Sequence, residues 1–316
     1  MQSSYNNLPL IAIAGPTATG KTEVSFHLAR RIHAEIVSCD SMQIYKGLDV
    51  GTSKPTKEML SSVPHHLISL MKHDRVFSVA EYIRMAASNI EKIRKEGKNA
   101  ILAGGTGLYL KCLFEGLFEG PPRDKKIRNK LKVQIDEKGL ESLYKDLRKR
   151  DPDYANVISS NDERRIMRAL EVMEIRGEKF SVLQKNTASL VKEPYRIFCL
   201  LLPRKELYRR IDKRVDGMMQ CGLVDEAREL FEENISPDAT LLQAIGYKEL
   251  FLYFQGEVSL EEAVCLIKRN TRRYAKRQMT WFKKMKNVVW VEAGRDTEKI
   301  IKDILKEVKE EDDRDT

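Results

Sequence analysis

The residues best suited to chemistry lie near the start of the chain, where Gly-Pro-Thr-Ala-Thr-Gly-Lys-Thr follows the pattern G-x-x-x-x-G-K-[ST]. Glycines let the backbone turn its N–H groups around phosphate oxygens, and a following helix N-terminus adds partial positive charge. The lysine supplies a full charge, and the last hydroxyl is a ligand for Mg²⁺. The pattern predicts a polyphosphate site, with ATP, GTP and other diphosphates all open, at Gly15, Pro16, Thr17, Ala18, Thr19, Gly20, Lys21 and Thr22.

The segments that flank this loop have the right character to position it. Residues 8–14 are a short apolar run, as expected for a buried parallel strand. Val24, Leu28 and Ile32 recur at helical spacing after the loop. The loop is therefore predicted to connect a strand to a helix that packs on it.

Asp40 is the second candidate for chemistry. It ends a strand-like run at 35–39 and opens a polar, glycine-containing loop at 40–55. Ligands of open α/β sheets bind beyond the carboxyl ends of strands, so we expect Asp40 to face a substrate. An Asx turn that only shapes the loop is the alternative.

A second glycine-rich turn, Gly-Gly-Thr-Gly-Leu-Tyr at 104–109, follows a predicted strand at 99–103. Thr106 lies among three glycines, so a ligand could approach its hydroxyl closely. From these residues alone, a tight turn between strand and helix without a ligand is the better interpretation.

Three clusters of cations could bind phosphates. One is on a predicted helix at 162–176, where phosphate contact competes with pairing to Glu163 and Glu171. Another follows a predicted strand at 196–202, where contact with a phosphate competes with ordinary surface charge. The first cluster consists of Arg164, Arg165 and Arg168. The second consists of Arg209, Arg210, Lys213 and Arg214.

The third cluster is on a helix that a Ser259–Glu262 capping box opens and that runs to about Phe282. One face carries Val264, Ile267, Tyr274, Gln278 and Trp281. The other carries six cations that repel one another, so a purely structural helix is poorly explained and a nucleic-acid backbone is the expected partner. These are Lys268, Arg269, Arg272, Arg273, Lys276 and Arg277.

The elements predict an α/β fold: a parallel sheet flanked by helices, like that of P-loop NTPases, with an inserted all-helical domain. Other expected elements are a short strand at 66–69, a helix from a Ser78–Glu81 capping box to about residue 96, and a last strand at 288–291. Residues 118–195 carry helical patterns with little strand character. We therefore predict a core domain from 1–117 and 196–316, interrupted by a helical domain at 118–195.

Composition narrows the class of protein. The 316 residues are 42% hydrophobic and 33% charged, which is typical of a globular protein, and no apolar stretch approaches the length of a membrane span. The N-terminus lacks the basic region of a signal peptide. Five scattered cysteines indicate a reducing compartment and no zinc site, and ordinary packing is the expected role of His65 and His66. We expect a cytoplasmic protein.

Net charge is +9, and the acidic stretch at 310–316 contributes −4, so the rest of the chain carries +13. A basic body with an acidic, frayed tail suggests a polyanionic partner, although a generally basic surface would explain the charge equally well.

Several of these stretches, taken in order, resemble the bacterial tRNA dimethylallyltransferases, also called tRNA isopentenyltransferases. The resemblance covers residues 15 to 282. Each motif alone is weak or moderate, whereas the ordered set is very specific. The motifs are GPTATGKT, DSMQIYKGLDVGTSKP, GGTGLY, NDERRIMRALEV, QAIGYKE and TRRYAKRQMTWF.

The resemblance implies transfer of a dimethylallyl group from dimethylallyl diphosphate to N6 of adenine-37, in the anticodon loop of tRNAs that read codons beginning with U. Loop 15–22 would hold the diphosphate rather than ATP, with Mg²⁺ on Thr22. Asp40 would be the general base, Arg214 would clamp the diphosphate, and Arg210 is the less favoured choice for that role. Thr106 would contact the target nucleotide.

The resemblance also implies contacts to tRNA along a longer set of residues, with the helical insertion as a tRNA-binding domain. We expect a monomer. With three arginines of the basic helix included, the predicted tRNA-binding residues are Asp40, Ser41, Met42, Gln43, Thr106, Arg128, Arg164, Arg165, Ile166, Met167, Arg168, Arg269, Arg273 and Arg277.

Three other functions stay open on the residues alone. A P-loop kinase of a small metabolite would need ATP but no basic helix. An RNA-binding NTPase would need an apolar strand that ends in Asp and a further acid, which we do not find. An adenylate isopentenyltransferase would act on free nucleotides and would need neither the basic helix nor the insertion.

Overall fold

The computed structural model describes residues 8–73, 75–185, 187–233 and 240–312. The chain forms two compact units. One comprises Met1–Lys111 and Val191–Thr316, and the other is Cys112–Leu190. The sequence-based boundaries at 118 and 195 lie a few residues further along the chain.

The first unit is built on a parallel sheet, as expected. Its strands are β1 (Leu10–Ala14), β2 (Ala34–Ser38), β3 (His65–His66), β4 (Asn99–Ala103), β5 (Tyr195–Leu201) and β6 (Val288–Glu292). In the described part of the chain the sheet has these six strands, in the spatial order β3-β2-β4-β1-β5-β6.

The centre of the sheet is buried because helices cover both faces. All five residues of β1 are buried, as are those of β2. β2, which follows β1 in sequence, lies beyond β4 on one side of β1. β5, which follows β4 in sequence, lies next to β1 on its other side. Loops therefore diverge at the carboxyl ends of β1 and β4, which leaves a crevice for a ligand.

Helices of the first unit agree with the predicted ones where the sequence was periodic. The capping boxes at Ser78–Glu81 and Ser259–Glu262 are confirmed. The helices are α1 (Lys21–Ile32), α2 (Lys57–Ser62), α3 (Val79–Lys95), α4 (Gly107–Glu115, which runs into the second unit), α10 (Arg204–Gln220), α11 (Leu223–Glu232), α12 (Tyr247–Phe254), α13 (Leu260–Phe282) and α14 (Thr297–Asp312).

The second unit is helical and has its own core. Its helices agree with the helical patterns predicted across residues 118–195, and one of them agrees to within a residue at each end with the helix predicted at 162–176. The helices are α5 (Lys125–Lys138), α6 (Leu140–Arg150), α7 (Pro152–Ala155), α8 (Glu163–Arg176) and α9 (Phe180–Leu183). The core includes Leu143, Leu147, Ile166, Leu170 and Phe180.

Two predictions about elements need correction. The strand expected at 66–69 is only His65–His66, because Leu67 and Ser69 take positive φ angles of 61° and 52° and turn the chain away from the sheet. The acidic tail was expected to fray from residue 310, but α14 continues to Asp312; residues 313–316 lie outside the described part. Among the residues that the structure describes, every helix is too short or too polar to span a bilayer.

Candidate active site

The predicted phosphate loop connects β1 to α1, at the carboxyl edge of the sheet. Gly15 has φ 136°, and a Cβ there would lie 2.7 Å from the carbonyl oxygen of Leu200. Gly20 caps α1 in the left-handed region at φ 92°. Both positions therefore require glycine, the first for a close approach of β5 and the second for its backbone angle. The first N–H groups of α1 have no acceptor within the helix and can bind an anion.

Two cations share one cavity beside this loop. Lys21 and Arg214 both line it, together with Thr22 and Asp40. Burial and the neighbouring Arg214 lower the pKa of Lys21 to about 8, against its ordinary value of 10.5. Burial also lowers the pKa of Arg214. Holding two cations together away from water is unfavourable for the free protein, and an anion between them would remove this cost.

The cavity contains about 700 Å³ of space not filled by protein, part of it open to solvent. Its polar lining includes residues of the phosphate loop and of the ends of β2 and β4. Its apolar lining includes Ile36, Ile68 and Pro55. The cavity therefore suits a ligand with a charged head and a small hydrocarbon part.

Asp40 and Thr106 lie at the ends of the neighbouring strands β2 and β4. The Oδ1 atom of Asp40 accepts a hydrogen bond from the N–H of Met42 at 2.9 Å, so the predicted Asx turn is present. Asp40 also lines the cavity, and in the described part of the chain no donor reaches its Oδ2 atom. One oxygen thus shapes the loop while the other is available to take a proton.

The Oγ1 atom of Thr106 accepts from the N–H of Ser41 at 3.1 Å, and the N–H of Thr106 donates to the carbonyl of Cys39 at 3.1 Å. These two bonds join the β4 turn to the β2 turn. Thr106 is partly buried and is not among the residues that line the cavity with Lys21.

The glycines of the second turn have a packing role that the sequence did not indicate. A Cβ at Gly104 would lie 2.0 Å from the carbonyl oxygen of Cys39. At Gly105 it would lie 2.3 Å from Nε2 of Gln278, and at Gly107 it would lie 2.2 Å from the Trp281 ring. The turn is therefore the surface on which α13 packs.

Gln278 is a site residue that sequence reasoning missed. Its Oε1 accepts from the N–H of Thr17 and its Nε2 donates to the carbonyl of Gly105, both at 2.9 Å. The side chain is buried and lines the cavity. The available signal was a polar residue on the otherwise apolar face of the basic helix.

The loop 40–43 contains three further predicted tRNA contacts. Ser41, Met42 and Gln43 are each partly exposed. Gln43 accepts from the hydroxyl of Ser38 at 3.1 Å and donates to the carbonyl of Thr52 at 3.3 Å. Its amide therefore holds loop 40–55 together, and it also lines the cavity.

Two acidic residues of α10 pair with part of the basic face of α13. The sequence did not reveal this pairing. Lys268 pairs with Asp216 at 2.6 Å, and Arg272 pairs with Asp212. The exposed cations are Arg269, Arg273, Lys276 and Arg277. In the described part of the chain, neither Arg269 nor Arg273 has a carboxylate partner. Two of the six predicted cations are therefore paired with acids of another helix, but a row at 269, 273 and 277 remains.

Arg214 and Arg210 are now distinguished by their surroundings. The guanidinium of Arg210 pairs with Glu206 at 2.8 Å, and Arg209 pairs with the same carboxylate. Arg214 lines the cavity, whereas Arg210 does not.

In the second unit, the predicted tRNA contacts differ in exposure. Arg164 and Arg165 are exposed on α8, and Arg165 lies 3.3 Å from Asp162. Ile166 and Met167 are 0% and 1% exposed and belong to the core, so their side chains are core groups.

Arg128 and Arg168 both contact the buried carboxylate of Glu171, at 3.3 and 2.9 Å. Glu171 also accepts from the N–H of Asp124. The pairing of Arg168 with Glu171, the alternative to phosphate contact, is therefore present in the structure.

Comparisons with known proteins give a consistent picture. The family model described as IPP transferase matches residues 43–285. A tRNA dimethylallyltransferase of Syntrophomonas wolfei is 44% identical over 301 residues, covering 93% of this chain and 96% of that protein. One from Bacillus pumilus is 42% identical and covers 89% of each.

Solved structures are similar over nearly the whole chain. A full-length tRNA isopentenylpyrophosphate transferase from Bacillus halodurans is 39% identical with a TM-score of 0.71, covering 98% of this chain and 99% of that one. A eukaryotic dimethylallyltransferase acting on tRNA is 29% identical with a TM-score of 0.77, covering 90% of this chain and 73% of that one.

Proposed function

The chain belongs to the IPP transferase family, and we propose that it transfers a dimethylallyl group from dimethylallyl diphosphate to N6 of adenine-37 in tRNAs that read codons beginning with U. It is a prenyl-transferring enzyme of tRNA modification. The observation that carries the proposal is the single cavity that Lys21, Arg214 and Asp40 line together. This set combines charges for a leaving diphosphate with a base for an incoming amine.

The donor's diphosphate would occupy the space between the phosphate loop and Arg214. Negative charge builds on this group as its oxygen separates from the allylic carbon. Lys21, Arg214 and the first N–H groups of α1 would stabilise that charge where water is largely excluded. An anion there would also raise the pKa of Lys21, which is lowered to about 8 in its absence.

The residues present suit Mg²⁺. In the described part of the chain no three or more His, Cys, Asp or Glu side chains form a metal cluster. Mg²⁺ usually takes one or two protein oxygens and completes its shell with phosphate oxygens and water. Thr22, on the cavity beside Lys21, would be its protein ligand. When bound, the ion would neutralise part of the charge on the diphosphate.

Asp40 would be the general base that acts on the acceptor, the N6 amine of adenine. The N6 amine of adenine is a weak nucleophile, so loss of its proton assists the formation of the N6–carbon bond. The carbon–oxygen bond to diphosphate breaks, and the proton passes to Oδ2 of Asp40. Thr106, which is tied to the backbone next to Asp40, would contact the target nucleotide.

A tRNA acceptor accounts for features that a free nucleotide would not need. The exposed row of Arg269, Arg273 and Arg277 suits a phosphate backbone. Arg164 and Arg165 offer a second basic surface, on the helical unit, which we propose binds tRNA as well. The target adenine must leave the stack of the anticodon loop, and in a single-stranded loop this costs less than in a duplex. We further propose that the enzyme acts as a monomer in the cytoplasm, where its tRNA substrate is found.

A transfer assay tests the proposal. Purified protein, Mg²⁺ and labelled dimethylallyl diphosphate are mixed with unmodified tRNA in one tube and with AMP in another. We expect label on tRNA alone, and digestion should locate it at adenine-37. Label on AMP would indicate an adenylate isopentenyltransferase. Label on neither, with ATP consumed in a parallel tube, would favour a kinase or an NTPase.

A further inference from the structure

One carboxylate holds the tip of the loop that follows Asp40. Glu226, on α11, accepts hydrogen bonds from the N–H groups of Asp49 and Val50 at 2.8 Å and from that of Gly51 at 2.9 Å. It also accepts from the hydroxyl of Tyr247 at 2.6 Å. A carboxylate offers about four acceptor positions, so these four donors use its full capacity.

Tyr247 fixes this carboxylate from the opposite side. It is buried at the start of α12, within the QAIGYKE motif, to which the sequence assigned no role. Burial and the adjacent Glu226 raise the pKa of its phenol, so the group remains a donor. A Cβ at Gly51 would lie 2.5 Å from its hydroxyl oxygen, which explains why the loop carries glycine there.

A second charge anchors the same loop from within. The ammonium of Lys54 donates to the carbonyl of Tyr45 and to Oδ1 of Asp49 at 2.6 Å, and to the hydroxyl of Ser69 at 2.7 Å. Its side chain is 6% exposed. Ser53, between the two anchors, is held in the left-handed region at φ 45°. A loop with a strained residue needs such anchors to keep one conformation.

The anchored segment forms part of the cavity wall. Thr52, Ser53 and Pro55 line the cavity that Lys21 and Asp40 line. Ser53, Pro55 and Arg214 also line the neighbouring groove, so this wall separates the two spaces. Arg214 on α10 and Glu226 on α11 belong to consecutive helices. The same pair of helices therefore places the diphosphate clamp and the loop that faces it.

We infer that Glu226 and Tyr247 are positioning residues for the transfer reaction, which hold loop 49–53 in the conformation that binds the prenyl diphosphate. They touch neither substrate nor reacting atoms and act through the loop backbone. The inference rests on the proposed function, because it concerns the donor site of that reaction. If the loop is correctly placed for only a fraction of the time, the apparent dissociation constant rises by the inverse of that fraction.

The test uses the full chain and three variants. Glu226→Gln replaces an acceptor with an NH₂ group that cannot accept from the loop amides, and Tyr247→Phe removes one hydrogen bond but keeps the ring. Glu229→Gln, at an exposed position of α11, is the matched control. Calorimetry measures binding of dimethylallyl diphosphate with Mg²⁺, steady-state kinetics gives kcat and KM, and hydrogen exchange follows the amides of residues 49–51.

We expect Glu226→Gln to weaken donor binding about tenfold and Tyr247→Phe about threefold, as losing charge-assisted hydrogen bonds implies, with kcat at saturation within about twofold of wild type. Exchange at residues 49–51 should accelerate in both variants and stay unchanged in Glu229→Gln.

Unchanged donor affinity in both variants, or exchange at 49–51 equal to that of the control, would overturn the inference. A lower melting temperature with unchanged KM would mean that the pair only stabilises the fold, which also overturns it. Failure of the proposed function is distinct, because it would appear as wild-type protein that transfers no label to tRNA, whereas hydrogen exchange reports on the loop without any turnover.

Discussion

The side chain of Gln278 accepts a hydrogen bond from the backbone N–H of Thr17 across 2.9 Å, joining the basic helix α13 to the phosphate loop. The other end of the same amide donates to Gly105, in the second glycine-rich turn. One side chain thus connects the element proposed to bind tRNA with both turns that surround the cavity.

Replacing Gln278 with Ala should destabilise the protein and weaken donor binding. The substitution leaves the partly buried N–H of Thr17 and the buried carbonyl of Gly105 without these partners, and a fully buried group of this kind costs about 1–3 kcal/mol. We expect the free energy of unfolding, measured in urea, to fall by about 2–4 kcal/mol. Thr280→Ala, on the exposed side of α13, is the control and should change it by less than about 0.5 kcal/mol. Equal stabilities of the two variants would show that the hydrogen bonds of Gln278 do not stabilise the contact between α13 and the two turns.

Asp40 has two roles that substitution can separate. Asn at position 40 keeps an oxygen to accept from the N–H of Met42 but cannot take a proton, whereas Ala loses both functions. We expect Asp40→Asn to lower kcat about 10²–10⁴-fold with unchanged melting temperature and tRNA affinity. Asp40→Ala should show the same loss of rate and about 1 kcal/mol of lost stability.

Single-turnover kinetics and filter binding would check these expectations. If Asp40→Asn lost tRNA affinity in the same proportion as rate, or turned over at the wild-type rate, Asp40 would not be the general base.

The lowered pKa of Lys21 predicts an unusual dependence of stability on pH. Without ligand, its pKa of about 8 lies below the ordinary 10.5 that applies in the unfolded chain. Between these values the unfolded state binds more protons than the native state, so the free energy of unfolding gains from this group as pH rises. Below about pH 8, Lys21 is protonated in both states, so the full cost of burying its charge lowers the free energy of unfolding.

Lys21→Met removes this contribution. The variant should therefore be more stable than unliganded wild type at pH 7, and the difference should shrink as pH increases from 8 to 10.5. Urea titrations at several pH values measure it, with Lys276→Met, an exposed site, as the control. Lys21→Met should also lose binding of dimethylallyl diphosphate. A variant less stable than wild type at pH 7 would show that burial of Lys21 is not unfavourable.

The exposed cations of α13 should account for much of the salt dependence of tRNA binding. Replacing Arg269, Arg273 and Arg277 with Ala is expected to weaken tRNA binding and to reduce the slope of log K against log salt by about 1 for each phosphate that is no longer neutralised. The matched variant is Lys268→Ala with Arg272→Ala, because these cations are already paired with Asp216 and Asp212. It should change the slope less. Equal slopes for the two variants would mean that the exposed row is only solvated.

Much of the fold could be predicted because local signals and tertiary structure agree. The strands β1, β2 and β4 are short runs that are mainly apolar and almost entirely buried, and the helices α3 and α13 begin with capping boxes. α11, α12 and α14 were not predicted, although α11 and α14 bury apolar residues at helical spacing. β3 was misplaced because the left-handed conformations of Leu67 and Ser69 leave no mark in a propensity scale.

The candidate site likewise has parts that the sequence predicted and parts that it did not. Motif spacing predicted the phosphate loop, and position after a strand predicted Asp40. Contacts between distant segments were invisible, such as that of Glu226 with residue 49 or that of Lys268 with Asp216. A basic face can be read from one helix, but the acids that neutralise part of it lie on another.

The helical unit offers a last test, because its arginines differ in their partners. Arg128 and Arg168 surround Glu171, which is 0% exposed, whereas Arg164 and Arg165 are exposed. Glu171→Ala leaves two cations around a site that has lost its charge, so we expect a loss of about 3–5 kcal/mol in the stability of this unit. Arg164→Ala with Arg165→Ala should leave stability unchanged and lower tRNA affinity, with a smaller salt slope.

Hydrogen exchange of α8 and filter binding of tRNA measure the two effects separately. A stable Glu171→Ala variant would mean that the carboxylate is not the centre of this network. Unaltered tRNA affinity in the arginine double variant would remove Arg164 and Arg165 from the proposed interface. Arg168→Ala should combine both effects, because its guanidinium contacts Glu171 while its side chain remains partly exposed.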